Sequence, residues 1–267
     1  RYGEESFWEP VLMETKGFVS QFGNLTGIRL SKQKKRIEVL PYLAGKNFLE
    51  DGLSSDPYWE KNNLSGNLGV DLKIGVGSNF TLTGTIFPDF GQVEADPANL
   101  NLSAFETFFE ERRPFFLEGT DIFQFGKTRS FSSGGSNLFY SRRIGRKPRG
   151  YINEENTQFE DYPSQTDIIS ALKFSGKTKS GFSIGILDAI TKEEKATYID
   201  SLGNEKTQPI EPFSNSLVLR LKKDMDDGKV VLGSFMTHKA NNLSTAYLDS
   251  SFLKDALVLG ADFEYAL

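Results

Sequence analysis

The chain has 267 residues with 31 basic and 36 acidic side chains, a net charge of −5; it is long enough to bury a core without staples and lacks the basic footprint nucleic acid requires. Cysteine is absent and His238 is the single histidine, so disulfides, thiolate metal sites, a histidine-rich zinc site and a Ser-His-Asp triad lack their residues. No nucleic-acid partner, cofactor or metal is expected.

No run approaches the roughly 18 apolar residues of a transmembrane helix. A membrane β-barrel stays open as a class, because each strand needs only about 9–11 residues and only alternate side chains meet lipid. An aromatic content of 13% with 25 glycines suits such a barrel at least as well as a soluble sandwich.

Near the start, "GFVSQFGNLTG" (Gly17 to Gly27) spaces Phe18, Phe22 and Leu25 at helical intervals and ends in glycine, which predicts one short helix or turn. Strands begin near Arg36. From Asn67 to Val76 the even positions are Leu68, Val70, Leu72, Ile74 and Val76, while the odd ones include Asp71 and Lys73. This is period two. After Gly77-Ser78-Asn79 the pattern resumes with Phe80, Leu82, Gly84 and Ile86 against Thr81, Thr83 and Thr85, so the two runs predict a hairpin.

Residues 87–119, "FPDFGQVEADPANLNLSAFETFFEERRPFFLEG", interrupt this rhythm with seven acidic side chains, adjacent arginines and seven phenylalanines. Ser103 with Glu106 forms a capping box, Phe105 and Phe109 lie four apart, and Pro114 is read as a stop, which predicts a helix from Ala104 to Arg112. The block is too long and too apolar for an exposed turn. We therefore read residues 88–119 as a segment folded inward as a plug or constriction, carrying Asp89, Gln92, Glu94, Asp96, Phe105, Glu106, Phe109, Glu110, Glu111, Arg112, Arg113, Phe115, Phe116 and Glu118. Its charges are expected to pair with polar walls, because buried charges persist only when paired. Phe105, Phe108, Phe109, Phe115 and Phe116 are expected to form a small core of their own.

Other roles for the block are open. Glu94 with Asp96, or Glu110 with Glu118, could supply the two carboxylates of a glycosidase. Asp89, Glu94 and Asp96 could offer oxygens to calcium, although their spacing matches no EF-hand loop. Acid-rich loops are more often solvated or ion-paired, and no residue is assigned as catalytic.

Asn137 to Arg146 reads as a further strand, with Arg142 and Ile144 on one face and Arg143 and Gly145 on the other. Arg142, Arg143 and Arg146 are placed at the interior or rim, pairing with plug acids or binding an anionic sugar or phosphate. Farther on, Ile168 to Phe174 and Phe182 to Ile190 flank a turn-rich loop, Leu217 to Leu221 precedes Asp226-Asp227-Gly228, Val230 to Met236 follows, and Leu257 to Tyr265 gives a last one-faced run. About ten strands result. Their polar face carries Asp71, Lys73, Arg220, Lys222, Asp262 and Glu264. Periodicity alone does not separate a sandwich, whose apolar face meets a second sheet, from a barrel, whose apolar face meets lipid. Threonine, glycine and charge on the inner face favour the barrel.

"PDFGQVEADPANLNLSAFETFFEERRPFFLEGTDIF" followed by "LFYSRRIGR" (Leu138 to Arg146) resembles the signature of the DUF5916 family, and "LKFSGKTKSGFSIGILDAIT" resembles a later hairpin of it. The resemblance implies an outer-membrane protein of Gram-negative bacteria, common in Bacteroidota, whose barrel follows a carbohydrate-binding module of the family 9 type. Arg1 to Pro10 resembles the tail of that module, the rest of which is absent from this chain, and an already removed signal peptide is implied. On this basis residues 1–34 are a linker, and residues 35–267 are the first part of an antiparallel transmembrane β-barrel with 88–119 inside it. The fold class is all-β. The expected function is glycan binding or passage at the surface of the bacterial outer membrane, with membrane lipid, a glycan and other outer-membrane proteins as partners. A cell-surface glycoside hydrolase or its accessory, and a structural subunit of a larger outer-membrane complex, are the alternatives.

Overall fold

The computed structural model describes residues 36–49, 55–88, 108–125 and 138–265, together with Gly27. The linker 1–34, the expected helix at Gly17 to Gly27 apart from its last residue, and the motif residues Asp89, Gln92, Glu94, Asp96, Phe105 and Glu106 lie outside these.

The described chain is antiparallel β-structure with three short helices. Its strands are β1 (Ile37–Leu49), β2 (Asn62–Val76), β3 (Phe80–Ile86), β4 (Phe159–Asp161), β5 (Ile168–Lys177), β6 (Phe182–Thr191), β7 (Glu194–Ile199), β8 (Glu205–Glu211), β9 (Phe213–Met225), β10 (Val230–Asn242) and β11 (Asp255–Tyr265). Helices α1 (Pro114–Leu117) and α2 (Thr120–Phe123) fall in the β3–β4 connection, and α3 (Ala246–Ser251) joins β10 to β11. Eight strands form one meander in the order β1-β2-β3-β5-β6-β9-β10-β11, and β4, β7 and β8 form a small second sheet. The large sheet is open: among the described residues β1 and β11 are edges that do not pair with each other, so these strands form no closed barrel by themselves.

The two ends of the sheet differ. At one, Gly77, Gly181 and Asp226-Asp227-Gly228 make tight turns, with Gly77 at φ 65, Gly181 at φ 84 and Gly228 at φ 86, angles that glycine adopts without a Cβ penalty. At the other lie the connections 50–61, 87–167, 192–212 and 243–254. Strands β7 and β8 extend the β6/β9 hairpin beyond the large sheet at this end, around a cluster of Ile152, Ala196, Tyr198 and Ile210 with Tyr162.

Register explains the two faces. Ile37, Ile74, Leu82, Phe174, Ile186, Leu219, Met236 and Leu259 stand side by side across all eight strands. On the opposite face the same strands align Glu38, Lys73, Thr83, Lys173, Leu187, Val218, Thr237 and Val258. The apolar row is exposed at Ile37 (59%), Ile186 (38%) and Leu259 (68%) and half-buried at Ile74, Leu82, Phe174, Leu219 and Met236. No second sheet covers it among the described residues, so the sandwich lacks its other layer. The core lies on the mixed face, where Ala171, Leu187, Ala189, Val218 and Phe235 are buried with Phe115, Phe116, Phe123 and Ile144 from the β3–β4 connection.

Two expected elements differ. Residues 108–112, the described part of the predicted helix, are not helical. Pro114 opens a helix instead of ending one, because its missing N–H and fixed φ suit a first helical position, while the residue before a proline is pushed to extended backbone; Arg113 sits at φ −73, ψ 121. The expected strand over Asn137 to Arg146 is, from Leu138 on, an irregular segment with a 3-10 turn at Ser141–Arg143, so the alternation of its arginines between two faces does not apply.

Candidate functional site

The site begins where the chain leaves β3. Phe87 takes a left-handed conformation, φ 47, uncommon for a bulky residue. Its N–H donates to the Ile169 carbonyl at 2.9 Å, and its carbonyl accepts from Asn67 Nδ2 at 3.2 Å. A Cβ on Gly69 would stand 2.6 Å from that carbonyl oxygen and 2.4 Å from the Tyr42 ring, so glycine permits this approach. Asn67 and Gly69 both belong to the mixed face of β2, so the chain turns inward over that face.

Residues 108–125 and 138–146 then form one unit centred on Arg113. This guanidinium is 2% exposed. Its Nε and NH2 donate to Glu111 Oε1 and Oε2 at 2.8 and 2.7 Å, NH1 to the Ile144 carbonyl at 2.7 Å, and NH2 to the Ser141 carbonyl at 2.9 Å. It also stacks 4.2 Å above the Phe116 ring. Glu111 accepts in addition from Ser141 Oγ at 2.5 Å and from the backbone N–H of Arg112 and of Arg113, each at 3.0 Å. Burial alone would raise the Glu111 carboxyl, but the hydrogen bonds and charge of Arg113, with Ser141, outweigh it and hold the group below its ordinary value. Bidentate, charge-assisted bonding of this kind is what a buried arginine–carboxylate pair needs.

The two segments are knit together elsewhere. Tyr140 Oη accepts from the Phe109 N–H at 2.8 Å and donates to the Phe109 carbonyl at 3.1 Å, and its ring meets Phe108 edge-on at 5.0 Å. Arg142 NH1 donates to the Glu110 carbonyl at 3.1 Å. Three lysines of the sheet hold the unit from below. Lys73 pairs with Glu118, the buried Lys173 donates to the carbonyls of Phe115 and Glu118, and Lys222 donates to the Asp121 carbonyl at 2.9 Å. Glycines let the unit sit close: a Cβ on Gly185 would lie 2.7 Å from Ile122 and 3.0 Å from Phe123, and one on Gly260 would lie 2.6 Å from Leu138 and 2.9 Å from Phe125. Arg220 bridges β9 to Asp262 on β11 at 2.5 and 2.6 Å, passing over Gly233, where a Cβ would be 2.1 Å from the Asp262 carboxylate.

Sequence-expected residues are thus distributed unevenly. Glu111, Arg113, Phe115 and Phe116 are brought together; Phe109, Glu110 and Arg142 join at the edge; Glu118 reaches the wall. Arg112 and Arg143 are exposed and Arg146 is half-buried. Among the described residues the acid that Arg113 pairs with is Glu111 of its own segment, two residues away and within reach of the same guanidinium. Phe115 and Phe116 do not make a separate core: they pack on Ala171, Leu187 and Val218, an apolar patch within a face read as polar. Tyr140, Ser141, Lys173, Gly185 and Gly260 went unassigned in the sequence. Lysine at a mid-strand position beside small residues was the available signal for Lys173.

Chemically this is a packed, self-satisfied unit. The carboxylate of Glu111 is taken up by Arg113 and Ser141, and that of Glu118 by Lys73. Among the described residues no three His, Asp or Glu side chains gather where a metal could bind. A family model described as a domain of unknown function, DUF5916, matches residues 34–232. The chain belongs to that family. The match takes in the knitted unit and strands β1 to β9, and ends at the start of β10. No curated protein and no solved structure matches the chain.

Proposed function

We propose that this DUF5916 chain forms eight consecutive strands of a transmembrane β-barrel in the bacterial outer membrane, that the unit of residues 108–125 and 138–146 constricts its lumen, and that the barrel binds or passes glycans at the cell surface. The observation that carries the reading is the pair of faces: an uncovered apolar row running across eight strands, backed by a charged face on which an arginine-centred unit is docked. An apolar row facing water would leave a large patch without a partner, whereas lipid covers it at no cost. Tight turns at one end and long connections at the other match outer-membrane barrels, whose short turns lie on the periplasmic side and long loops outside.

Single cysteines at Ile186 and at Thr83 in the full-length protein, in native outer membrane, test this. A lipid-soluble maleimide is expected to label Ile186→Cys, and Thr83→Cys is expected to be shielded. Deleting residues 108–125 is expected to raise conductance in a planar bilayer while the heat-modifiable band persists. Labelling of Ile186→Cys by a membrane-impermeant reagent, or unchanged conductance, overturns the membrane or the constriction part respectively.

A further inference from the structure

We infer that the long-connection end of the sheet carries a binding site for an anionic saccharide, formed by Arg149, Tyr151 and Lys239. The inference rests on the cell-surface reading above and names the class of glycan.

Residues 149–152 lie beside β8, where the Gly150 N–H donates to the Ile210 carbonyl at 3.0 Å. Ile152 is buried in the small sheet's cluster, whereas Arg149 and Tyr151 point elsewhere. Both meet the β10–β11 connection. The Arg149 guanidinium lies 4.6 Å over the Phe252 ring. The Tyr151 ring stands edge-on to Tyr247 at 6.1 Å, the Tyr151 N–H donates to Tyr247 Oη at 2.8 Å, and its carbonyl accepts from Gln208 Nε2 at 2.9 Å. Its backbone is held on both sides, yet Tyr151 is 66% exposed. A fixed aromatic face turned to solvent is a surface on which the C–H face of a sugar ring stacks.

Charge lies near Arg149. Lys239 is on the mixed face of β10, opposite Ser216 and Ala256, and the charges that act on it are those of Arg149, Arg146 and Glu211. The one carboxylate of this group is engaged by Arg149, from NH2 and from its backbone N–H, each at 3.0 Å. Lys239 is half-buried and makes no hydrogen bond or ion pair among the described residues. A half-buried ammonium without an acceptor is costly, and a carboxylate entering between Lys239 and Arg149 relieves that cost. Cation and aromatic face together select a carboxylated sugar over a free anion, which has no ring to stack.

The test uses the full-length protein in detergent, titrated with trigalacturonate, with its methyl ester and with inorganic phosphate. The acid is expected to bind at least about tenfold tighter than the ester, the loss expected for one charge-assisted hydrogen bond, and phosphate is expected not to compete. Lys239→Gln should erase the preference for the acid, and Tyr151→Ala, at an exposed position, should weaken acid and ester alike. Equal binding of acid and ester, no binding of either, competition by phosphate, or unchanged affinity in both variants overturns the inference. Heat-modifiable insertion into outer membrane is scored separately on the same preparations. Protein that inserts without binding the acid sinks this site alone, and protein that binds it without inserting sinks the membrane reading alone.

Discussion

The two faces of the eight-stranded sheet come from the same strands and differ in what completes them. The outer row is chemically uniform and no second layer of the described chain covers it; the inner face mixes lysine, arginine, glycine and small apolar residues, and the segments 108–125 and 138–146 fit onto it. Uniformity signals a solvent, since any lipid or apolar phase covers such a row equally well. Mixture signals a specific partner, since each charged or absent side chain must meet its counterpart. The inner face found its counterpart within the chain.

If that contrast is right, the largest effect belongs to the centre of the docked unit. Arg113→Ala leaves the Glu111 carboxylate buried without its main partner, at a cost of about 3–5 kcal/mol. Hydrogen exchange should quicken at residues 108–118 and stay unchanged in β5 and β6, because strand ladders do not depend on the unit. Equal loosening of strands and unit would mean that the two are one cooperative body. Acid provides the matching probe. Since the folded Glu111 carboxyl is held below its ordinary value of 4.5, its contribution is complete above that pH and is lost as pH falls through the lower folded value. Protection of residues 108–118 should therefore decline on acidification before that of the strands, and Glu111→Gln should remove the pH dependence.

The next effect separates the faces directly. Lysine at Ile186, in the middle of the outer row, should cost about 2–4 kcal/mol if the row lies at mid-bilayer, whereas on a water-facing row it would be nearly neutral. Loss of the heat-resistant form on gels reads this out, with Thr83→Lys on the inner face as the control. An Ile186→Lys protein as resistant as the parent would place the outer row in water.

How far the sequence anticipated this contrast depended on range. Period two delivered β2, β3, β5, β6, β9, β10 and β11, because alternation is local and each strand repeats it. The helix at Ala104 to Arg112 failed over its described part because proline reads two ways, as a stop or as a first helical residue, and the partner that decides is Ser141, 28 positions from Arg113. The strand expected at 138–146 failed for a related reason. Its backbone hydrogen bonds go to its own 3-10 turn, to Thr166 and to Arg113, none of which a local pattern encodes. The pairing of Arg113 with Glu111 was in reach of sequence reasoning, since an arginine and a glutamate two apart on extended backbone project to the same side.

A smaller effect tests fit. Gly185 lies directly beneath α2, and a methyl there would approach Ile122 to 2.7 Å. Gly185→Ala should cost about 1–3 kcal/mol through overpacking, expressed as faster exchange at 119–125. Gly84 faces the outer side, where an added Cβ meets its nearest neighbour, Leu172, at 3.5 Å, so Gly84→Ala should leave exchange unchanged. Equal effects would mean that the unit does not rest on β6.

The smallest effect is expected at the rim of the docked unit, and it sharpens the comparison most. Lys73 and Glu118 form an ion pair between wall and unit, as Arg113 and Glu111 do within it, but their side chains are 33% and 43% exposed against 2% and 10% for the buried pair. Water screens the first pair and not the second, so the same formal interaction should differ severalfold in worth. Lys73→Ala should cost no more than about 1 kcal/mol, should weaken further in its effect as salt is raised, and should leave exchange at Arg113 unaltered. Lys173, buried on the same row and donating to the carbonyls of Phe115 and Glu118, holds the same stretch without needing a partner charge, which is why loss of Lys73 is tolerated. A Lys73→Ala protein that loosens as much as Arg113→Ala would show that the unit is fastened at its edge to β2 and that the buried arginine only fills it.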